Sequence, residues 1–279
     1  MRRTVVHRGL TAAAATGTVV ATVLATTASA TPATGTGTGA GTRPTVVLVH
    51  GGFADASTSW EGVVERLQDG GYRVIAPANP LRGLTTDAPY IRSVLAAVEG
   101  PVVLAGHSYG GAVITNAAAG NPNVKALVYV AASVPDRGER LSELFGRYPQ
   151  SELPQAVEEV PFPNPDGTTG TDLYLKPDKF RSAFAADLPR SVTHLMHATQ
   201  RPMSASFLTD PTLAAAWRDT PSWAVVAGAD KAIPPALQRF MYDRAAADTV
   251  EVKGASHAVV ISHSGTVTDV IEAADHATR

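Results

Sequence analysis

The chain has 279 residues, of which 44% are hydrophobic and 17% charged, and it contains no cysteine. This composition is typical of a globular protein and excludes disordered, collagen-like and disulfide-stabilised classes. A chain of this length can fold as one α/β domain, so we expect one domain. The formal net charge is −2, and no basic block follows the pattern that binds nucleic-acid phosphates, so we expect no nucleic-acid partner.

The first 30 residues have the pattern of an export signal. Arg2, Arg3 and Arg8 precede an apolar run, and residues 28–30 (Ala-Ser-Ala) supply the small side chains that signal peptidase accepts. Thr and Gly interrupt the run, which falls short of the roughly 20 strongly apolar residues of a membrane span. We expect cleavage after Ala30, secretion and no stable membrane anchor, with general or twin-arginine export both open.

Residues 31–44 alternate Gly, Thr and Ala without apolar periodicity, which predicts a flexible linker. From Thr45 onward, short β-branched runs alternate with amphipathic stretches. This alternation predicts an α/β domain over residues 45–279, with a mostly parallel sheet and helices on both faces. The predicted strands are residues 45–49, 73–76, 102–105, 126–130, 223–227 and 249–252.

The alternation breaks between Pro135 and Pro221, where prolines are scattered among short helical patterns near residues 188–199 and 212–217. We expect an insertion at about residues 136–220, because this segment is too long for an ordinary loop. Four of its apolar residues are expected to face the core or a substrate pocket: Leu195, Met196, Met203 and Phe207.

The sequence Gly-His-Ser-Tyr-Gly at residues 106–110 fits the G-x-S-x-G nucleophile elbow. It follows a predicted buried strand and precedes a predicted helix, which is the context that this turn requires. The glycines are needed because side chains two residues from Ser108 would collide in so sharp a turn. We predict that Ser108 is a nucleophile at a helix N-terminus, against the alternative of an ordinary serine in a glycine-rich turn.

A serine nucleophile needs a base and a group that orients the base. Asp230 follows the fifth predicted strand and His257 follows the last, so both are expected at the same sheet edge as Ser108. The three residues therefore form a predicted catalytic triad. Asp136 is the alternative acid, and His263, near the start of the final helix, is the alternative base.

The His-Gly-Gly-Phe sequence after the first strand brings backbone close to the predicted nucleophile. The N–H of Gly52, or less favourably that of Phe53, is expected to form an oxyanion hole with the N–H of Tyr109. Phe53 is also a candidate pocket residue. We expect His50 and His107 to hold loops by hydrogen bonding.

His194 and His197 have the i, i+3 spacing of a possible metal site within a helical stretch of the insertion. No third ligand accompanies them in the sequence. We therefore predict no metal site.

These motifs resemble those of the α/β-hydrolase superfamily over residues 46–270. The segments 49–53, 106–111, 227–235 and 254–257 are most similar to the branch of plant methylesterases, hydroxynitrile lyases and bacterial pyrethroid-hydrolysing carboxylesterases. The resemblance implies the α/β-hydrolase fold with a helical cap inserted after the sixth strand. It also implies an esterase that acts on a small-molecule ester through an acyl-enzyme intermediate, with no cofactor.

Two other classes of function stay open. A lyase or C–C bond hydrolase uses the same elbow and triad, although hydroxynitrile lyases rely on a cap lysine and on a threonine that Gly51 and Gly52 replace here. A non-catalytic binding protein on this scaffold would be expected to lose a triad residue. The sequence does not predict which ester is cleaved, because the insertion that shapes the pocket has the weakest pattern. It does not predict the oligomeric state either.

The export signal predicts that protein recovered from culture medium begins at Thr31, because signal peptidase cleaves after small residues that follow an apolar run. N-terminal sequencing of that material checks the position. Secreted protein that begins at Met1 would contradict the prediction.

Overall fold

The computed structural model describes residues 43–279. The predicted signal peptide and most of the predicted linker lie outside the described residues. Within residues 43–279, no helix has the length and apolar character needed to cross a membrane.

The first half of the domain alternates strands and helices. In chain order, the elements are β1 (Thr45–Val49), α1 (Ala56–Asp69), β2 (Arg73–Ile75), α2 (Leu84–Ala96), β3 (Val102–His107), α3 (Tyr109–Ala117) and β4 (Val124–Val130).

The insertion follows β4. It contains α4 (Leu141–Arg147), α5 (Leu153–Ala156), β5 (Val157–Pro163), β6 (Thr169–Leu175), α6 (Pro177–Phe184), α7 (Arg190–Ala198) and β7 (Met203–Ser204). The chain then returns to the main domain through β8 (Ser222–Ala227), α8 (Pro235–Arg244), β9 (Asp248–Val252), α9 (Val259–Ser262) and α10 (Ser264–Thr278).

Six strands form one parallel sheet in the order β2-β1-β3-β4-β8-β9. The α/β fold predicted from the sequence is confirmed. Strands β1 and β3 are buried throughout because helices cover both faces of the sheet.

Alternate side chains of the central strands enter two separate core layers, as the two-residue period of a strand requires. In β3, Val102 and Leu104 pack with residues of α2 and α3, whereas Val103 and Ala105 pack with residues of α1 and α10. This two-sided burial explains why no position in β3 is polar until the chain reaches the nucleophile elbow.

Helix α1 shows how local sequence signals set an element. Asp55 caps its N-terminus, where the carboxylate accepts the Thr58 N–H at 2.8 Å. Trp60, Val63 and Leu67 form the buried stripe that the i, i+3, i+7 spacing predicts. The helix is thus stabilised by the Asp55 hydrogen bond at its N-terminus and by burial along one face.

The cap differs from the expectation in two respects. It contains a three-stranded antiparallel sheet, β5-β6-β7, in addition to helices. The described sheet has six strands, and the cap follows the fourth of them in chain order, whereas the resemblance implied the sixth. The turn at residues 164–168 closes the β5–β6 hairpin, and the prolines of β5 are tolerated because β5 is an edge strand.

Two finer expectations for the insertion are wrong. Leu195 is 62% exposed, although Met196, Met203 and Phe207 are buried as expected. Residues 212–217 form no α-helix. The N–H groups of Leu213 and Ala214 instead donate to the side-chain oxygen of Asn116 on α3, so tertiary hydrogen bonds replace the helical ones.

The turn from β3 to α3 has no room for side chains at its two glycines. A Cβ on Gly106 would lie 2.6 Å from the carbonyl oxygen of Gly110, and a Cβ on Gly110 would collide with the carbonyl oxygen of Val49 at the end of β1. Ser108 lies between them with φ 56° and ψ −127°, a conformation that L-residues rarely adopt.

We expect Gly110→Ala to lower the free energy of unfolding by about 1–3 kcal/mol, the usual cost of over-packing a core. Gly146→Ala is the matched control, because Gly146 lies in α4 with open space around its Cα. It should be neutral or stabilising by up to about 1 kcal/mol. Urea denaturation of both variants measures the difference, and equal effects would contradict the steric argument.

Candidate active site

The elbow places Ser108 at the N-cap of α3, directly after the carboxyl end of β3. Asp230 follows β8, and His257 lies in the loop between β9 and α9. The carboxyl ends of parallel strands share one edge of the sheet, so three residues far apart in sequence meet there.

The three side chains form one hydrogen-bonded series. His257 Nε2 lies 2.8 Å from Ser108 Oγ, and His257 Nδ1 lies 2.7 Å from Asp230 Oδ2. Both the histidine and the aspartate are buried. The geometry is that of a nucleophile, a base and a carboxylate that orients the base.

The Asp230 carboxylate accepts three further hydrogen bonds. The N–H groups of Ala232 and Ile233 donate to Oδ1 at 2.7 and 2.9 Å, and Gln238 Nε2 donates to Oδ2 at 2.8 Å. These donors compensate the burial of a negative charge and fix the carboxylate toward His257. Sequence analysis missed Gln238, because only the folded turn before α8 brings it back onto Asp230.

The alternative triad residues make other contacts. Asp136 pairs with Arg218, and that hydrogen bond lowers the pKa of the aspartate below its ordinary value. His263 Nδ1 lies 2.9 Å from Ser262 Oγ at the start of α10. Neither residue takes part in the series that joins Ser108 to Asp230.

Two further histidines hold the backbone of the site. His107 Nε2 donates to the carbonyl oxygen of His257 at 2.9 Å. His50 Nδ1 donates to the carbonyl oxygen of Gly51 at 2.8 Å, while its Nε2 accepts the Asn79 N–H at 2.9 Å. Burial lowers the pKa of His107 to about 3 and that of His50 to about 4, so both rings are neutral near pH 7.

The loop after β1 lies against the nucleophile because Gly51 and Gly52 carry no side chain. A Cβ on Gly51 would lie 2.5 Å from Ser108 Cβ, and a Cβ on Gly52 would collide with Met203 Sδ. The Tyr109 N–H is the first of α3 and has no intrahelical acceptor. Gly52 and Tyr109, whose amides are predicted to form an oxyanion hole, therefore line the same small cavity as Ser108, and Phe53 follows directly in the same loop.

The Tyr109 side chain is anchored away from the reaction site. Its hydroxyl donates to Asp87 Oδ2 at 2.9 Å, and its ring packs edge-on against Phe207. Burial and the nearby Asp87 raise the pKa of Tyr109 well above its ordinary value, so the hydroxyl stays protonated as a donor. This contact fixes the side chain of the residue that follows Ser108, and no local sequence pattern indicates Asp87.

Two neighbouring cavities share part of their lining, and Ser108 lines the smaller one. The inner chamber has a free volume of about 20 Å³, close to the space of one water molecule, and the outer pocket has about 520 Å³. Phe53, predicted as a pocket residue, lines both. The other residues common to both cavities are Phe145, Leu153 and Phe207.

His194 and His197 line a separate cleft on the cap surface, next to α6. In residues 43–279, no group of three or more potential metal ligands converges. The spacing of these two histidines reflects the period of α7, and His197 packs edge-on against Phe180 at 5.7 Å between ring centroids.

A model of the alpha/beta hydrolase family matches residues 46–270. The chain belongs to the alpha/beta hydrolase family. The family and fold expected from the sequence motifs are thereby confirmed.

Solved structures with the same fold include an esterase and a pyrethroid hydrolase. Polyneuridine aldehyde esterase aligns with a TM-score of 0.72 at 22% identity, over 83% of this chain and 98% of that protein. A pyrethroid hydrolase from Sphingobium faniae JZ-2 aligns with a TM-score of 0.67 at 22% identity, over 84% of this chain and 98% of that protein.

A curated relative, a carbendazim-hydrolysing esterase from Nocardioides sp. (strain SG-4G), is 35% identical over 112 residues. The match covers 36% of this chain and 46% of the relative, so it spans about half the length of that protein.

We expect the free energy of unfolding to fall as the pH drops below 6.5. The reason is that His107 and His50 bind protons at a higher pH in the unfolded chain than in the folded one. Each contributes a loss of about 1.4 kcal/mol per pH unit between the unfolded and folded pKa values. His107→Gln keeps a donor for the His257 carbonyl and does not titrate. Urea denaturation from pH 7 to 4.5 should show a shallower pH dependence in this variant, and a slope equal to that of the parent would refute the argument.

Proposed function

We propose that the chain is a serine hydrolase that cleaves carboxylic esters through an acyl-enzyme intermediate. The observation that carries the proposal is the series of hydrogen bonds from Asp230 through His257 to Ser108. Membership of the alpha/beta hydrolase family and the fold shared with an esterase and a pyrethroid hydrolase support it.

In the acylation step, Ser108 Oγ attacks the ester carbonyl carbon while His257 Nε2 takes the hydroxyl proton. The Asp230 carboxylate stabilises the resulting imidazolium through Nδ1. The imidazolium then donates its proton to the oxygen of the departing alcohol, and the acyl group stays bound to Ser108.

The negative charge on the carbonyl oxygen needs donors that are in place before the reaction. The Tyr109 N–H and the N–H of Gly52, or of Phe53, serve this role in the proposal. The N-terminal position of Tyr109 in α3 adds the favourable end of the helix dipole. A water molecule activated by His257 completes the cycle and releases the acid.

The lining of the two cavities favours a neutral, apolar ester. Among residues 43–279, the wall of the inner chamber contains no Lys, Arg, Asp or Glu, and Glu159 is the one charged residue of the outer pocket. The curated relative is named for carbendazim hydrolysis and one structural neighbour for pyrethroid hydrolysis. We therefore propose a small-molecule ester whose larger apolar group occupies the outer pocket.

The lyase alternative depends on a lysine of the cap. Lys176 donates to the Gln155 carbonyl oxygen, and Lys179 pairs with Asp178. Neither lysine lines the inner chamber or the outer pocket. These contacts favour ester hydrolysis over lyase chemistry.

We also propose that the enzyme acts outside the cell after removal of residues 1–30. This proposal rests on the pattern of arginines, apolar run and small residues in that segment.

We expect Ser108→Ala and His257→Ala each to lower kcat by several orders of magnitude on neutral chromogenic esters. The double variant should have a kcat only slightly lower than that of either single variant, because the two residues act as one unit. Asp230→Asn should also lower kcat strongly, but less than the other two substitutions, since the carboxylate only orients and stabilises the imidazole. The assay uses esters of graded acyl length, with anionic esters of matched size expected to react more slowly.

Asp136→Asn is the matched control, because it removes the rival carboxylate without touching His257. It should keep kcat near that of the parent. Loss of activity in a folded Asp136→Asn variant, together with an active Asp230→Asn variant, would assign the orienting acid to Asp136. A fully active Ser108→Ala variant would reject serine catalysis altogether.

A further inference from the structure

The loop that carries His257 is held from two sides. On the side of the sheet, His107 donates to the His257 carbonyl oxygen, and the Ala229 N–H donates to the Ala255 carbonyl oxygen at 2.9 Å. On the other side lies the cap, through the segment between α6 and α7. Apart from Lys253 and His257 the loop consists of small residues, so its position depends on these contacts.

Asp187, in that cap segment, binds the residue directly before His257. Its Oδ2 accepts the Ser256 N–H at 3.2 Å, and its Oδ1 accepts the Ser256 hydroxyl. The Ser262 hydroxyl also donates to Oδ2, at 2.8 Å. Partial burial works in the opposite direction, but the hydrogen bonds from the two serines lower the pKa of Asp187 below its ordinary value.

The residue directly after His257 is bound by the same cap segment. The Ala258 N–H donates to the Phe184 carbonyl oxygen at 3.1 Å. The Phe184 ring packs against the His257 imidazole, with 4.9 Å between the ring centroids. Arg181 fixes the segment in turn, because its guanidinium donates to the carbonyl oxygens of Ala186 and Leu188.

We propose that Asp187 is a positioning residue that holds the His257 loop so that the imidazole stays aligned with Ser108. The inference rests on the proposed serine hydrolase function. Asp187 lines neither the inner chamber nor the outer pocket, so it acts through Ser256 and not on the substrate. Without it, Ser256 loses two hydrogen bonds and the backbone on one side of His257 is released.

A displacement of about 1 Å at a catalytic group can cost on the order of 100-fold in rate. We expect a smaller effect here, because Ala258 and the His257 carbonyl keep their partners. Asp187→Ala should therefore lower kcat about 10-fold, with KM for a small neutral ester within about 2-fold of the parent.

The rate of inactivation by a small organophosphate gives a second measurement, because it requires the Ser108–His257 pair but little of the outer pocket. This rate should fall in parallel with kcat. Asp187→Asn keeps a side-chain oxygen as acceptor and should restore part of both rates. Ser256→Ala removes the hydroxyl partner, and its effect should not add to that of Asp187→Ala.

Asp172→Asn is the matched control for loosening of the cap. Asp172 lies on β6 and forms an ion pair of 2.8 Å with Arg82, so it also ties the cap to the main domain. It makes no contact with the His257 loop. Its kcat and inactivation rate should stay near those of the parent.

An Asp187→Ala variant with parental kcat and inactivation rate would overturn the inference, as would equal losses in Asp187→Ala and Asp172→Asn. If Asp187→Ala does not fold, Asp187→Asn and Ser256→Ala decide the question by the same two rates. An active Ser108→Ala variant rejects the proposed function itself, and thus separates that failure from a failure of Asp187.

Discussion

The site depends on the close approach of the first turn of α3 to the end of β1. Gly110 lies against the Val49 carbonyl oxygen, and Gly51 lies against Ser108, with no space for a side chain at either position. This contact holds Ser108 in its unusual backbone conformation and brings the loop after β1 beside it. The backbone conformation of Ser108 and the approach of the loop after β1 are therefore products of one packing constraint.

Burial of side chains on both faces of the sheet stabilises the fold enough to offset the strain in this turn. The strained turn leads out of β3, whose side chains alternate between two apolar layers. Each buried Val or Leu stabilises the fold by about 1.5–3 kcal/mol, so a few of them together exceed the roughly 1–3 kcal/mol that one strained residue costs. The strain is thus tolerated where the surrounding strands are most deeply buried.

The sequence predicted the sheet, the elbow and the three residues of the hydrogen-bonded series, because Ser108 and Asp230 follow apolar strands within three residues and His257 lies in the loop after the last strand. It did not predict Gln238, Asp87 or Asp187, whose partners lie elsewhere in the fold and whose local patterns are ordinary. The sheet of the cap was also missed. Strand β5 is mostly exposed, and β5 and β6 are rich in Pro, Thr and Glu, so they lack the apolar runs that revealed the central strands.

The cap arises from one continuous segment between β4 and β8, and it supplies most of the wall of the outer pocket. Ser108, Asp230 and His257 lie outside that segment. Exchanges in the cap can therefore change the outer pocket without changing the residues of the hydrogen-bonded series. The junction at Asp187 would restrict this freedom, since a cap that evolves new specificity must still present an acceptor to Ser256.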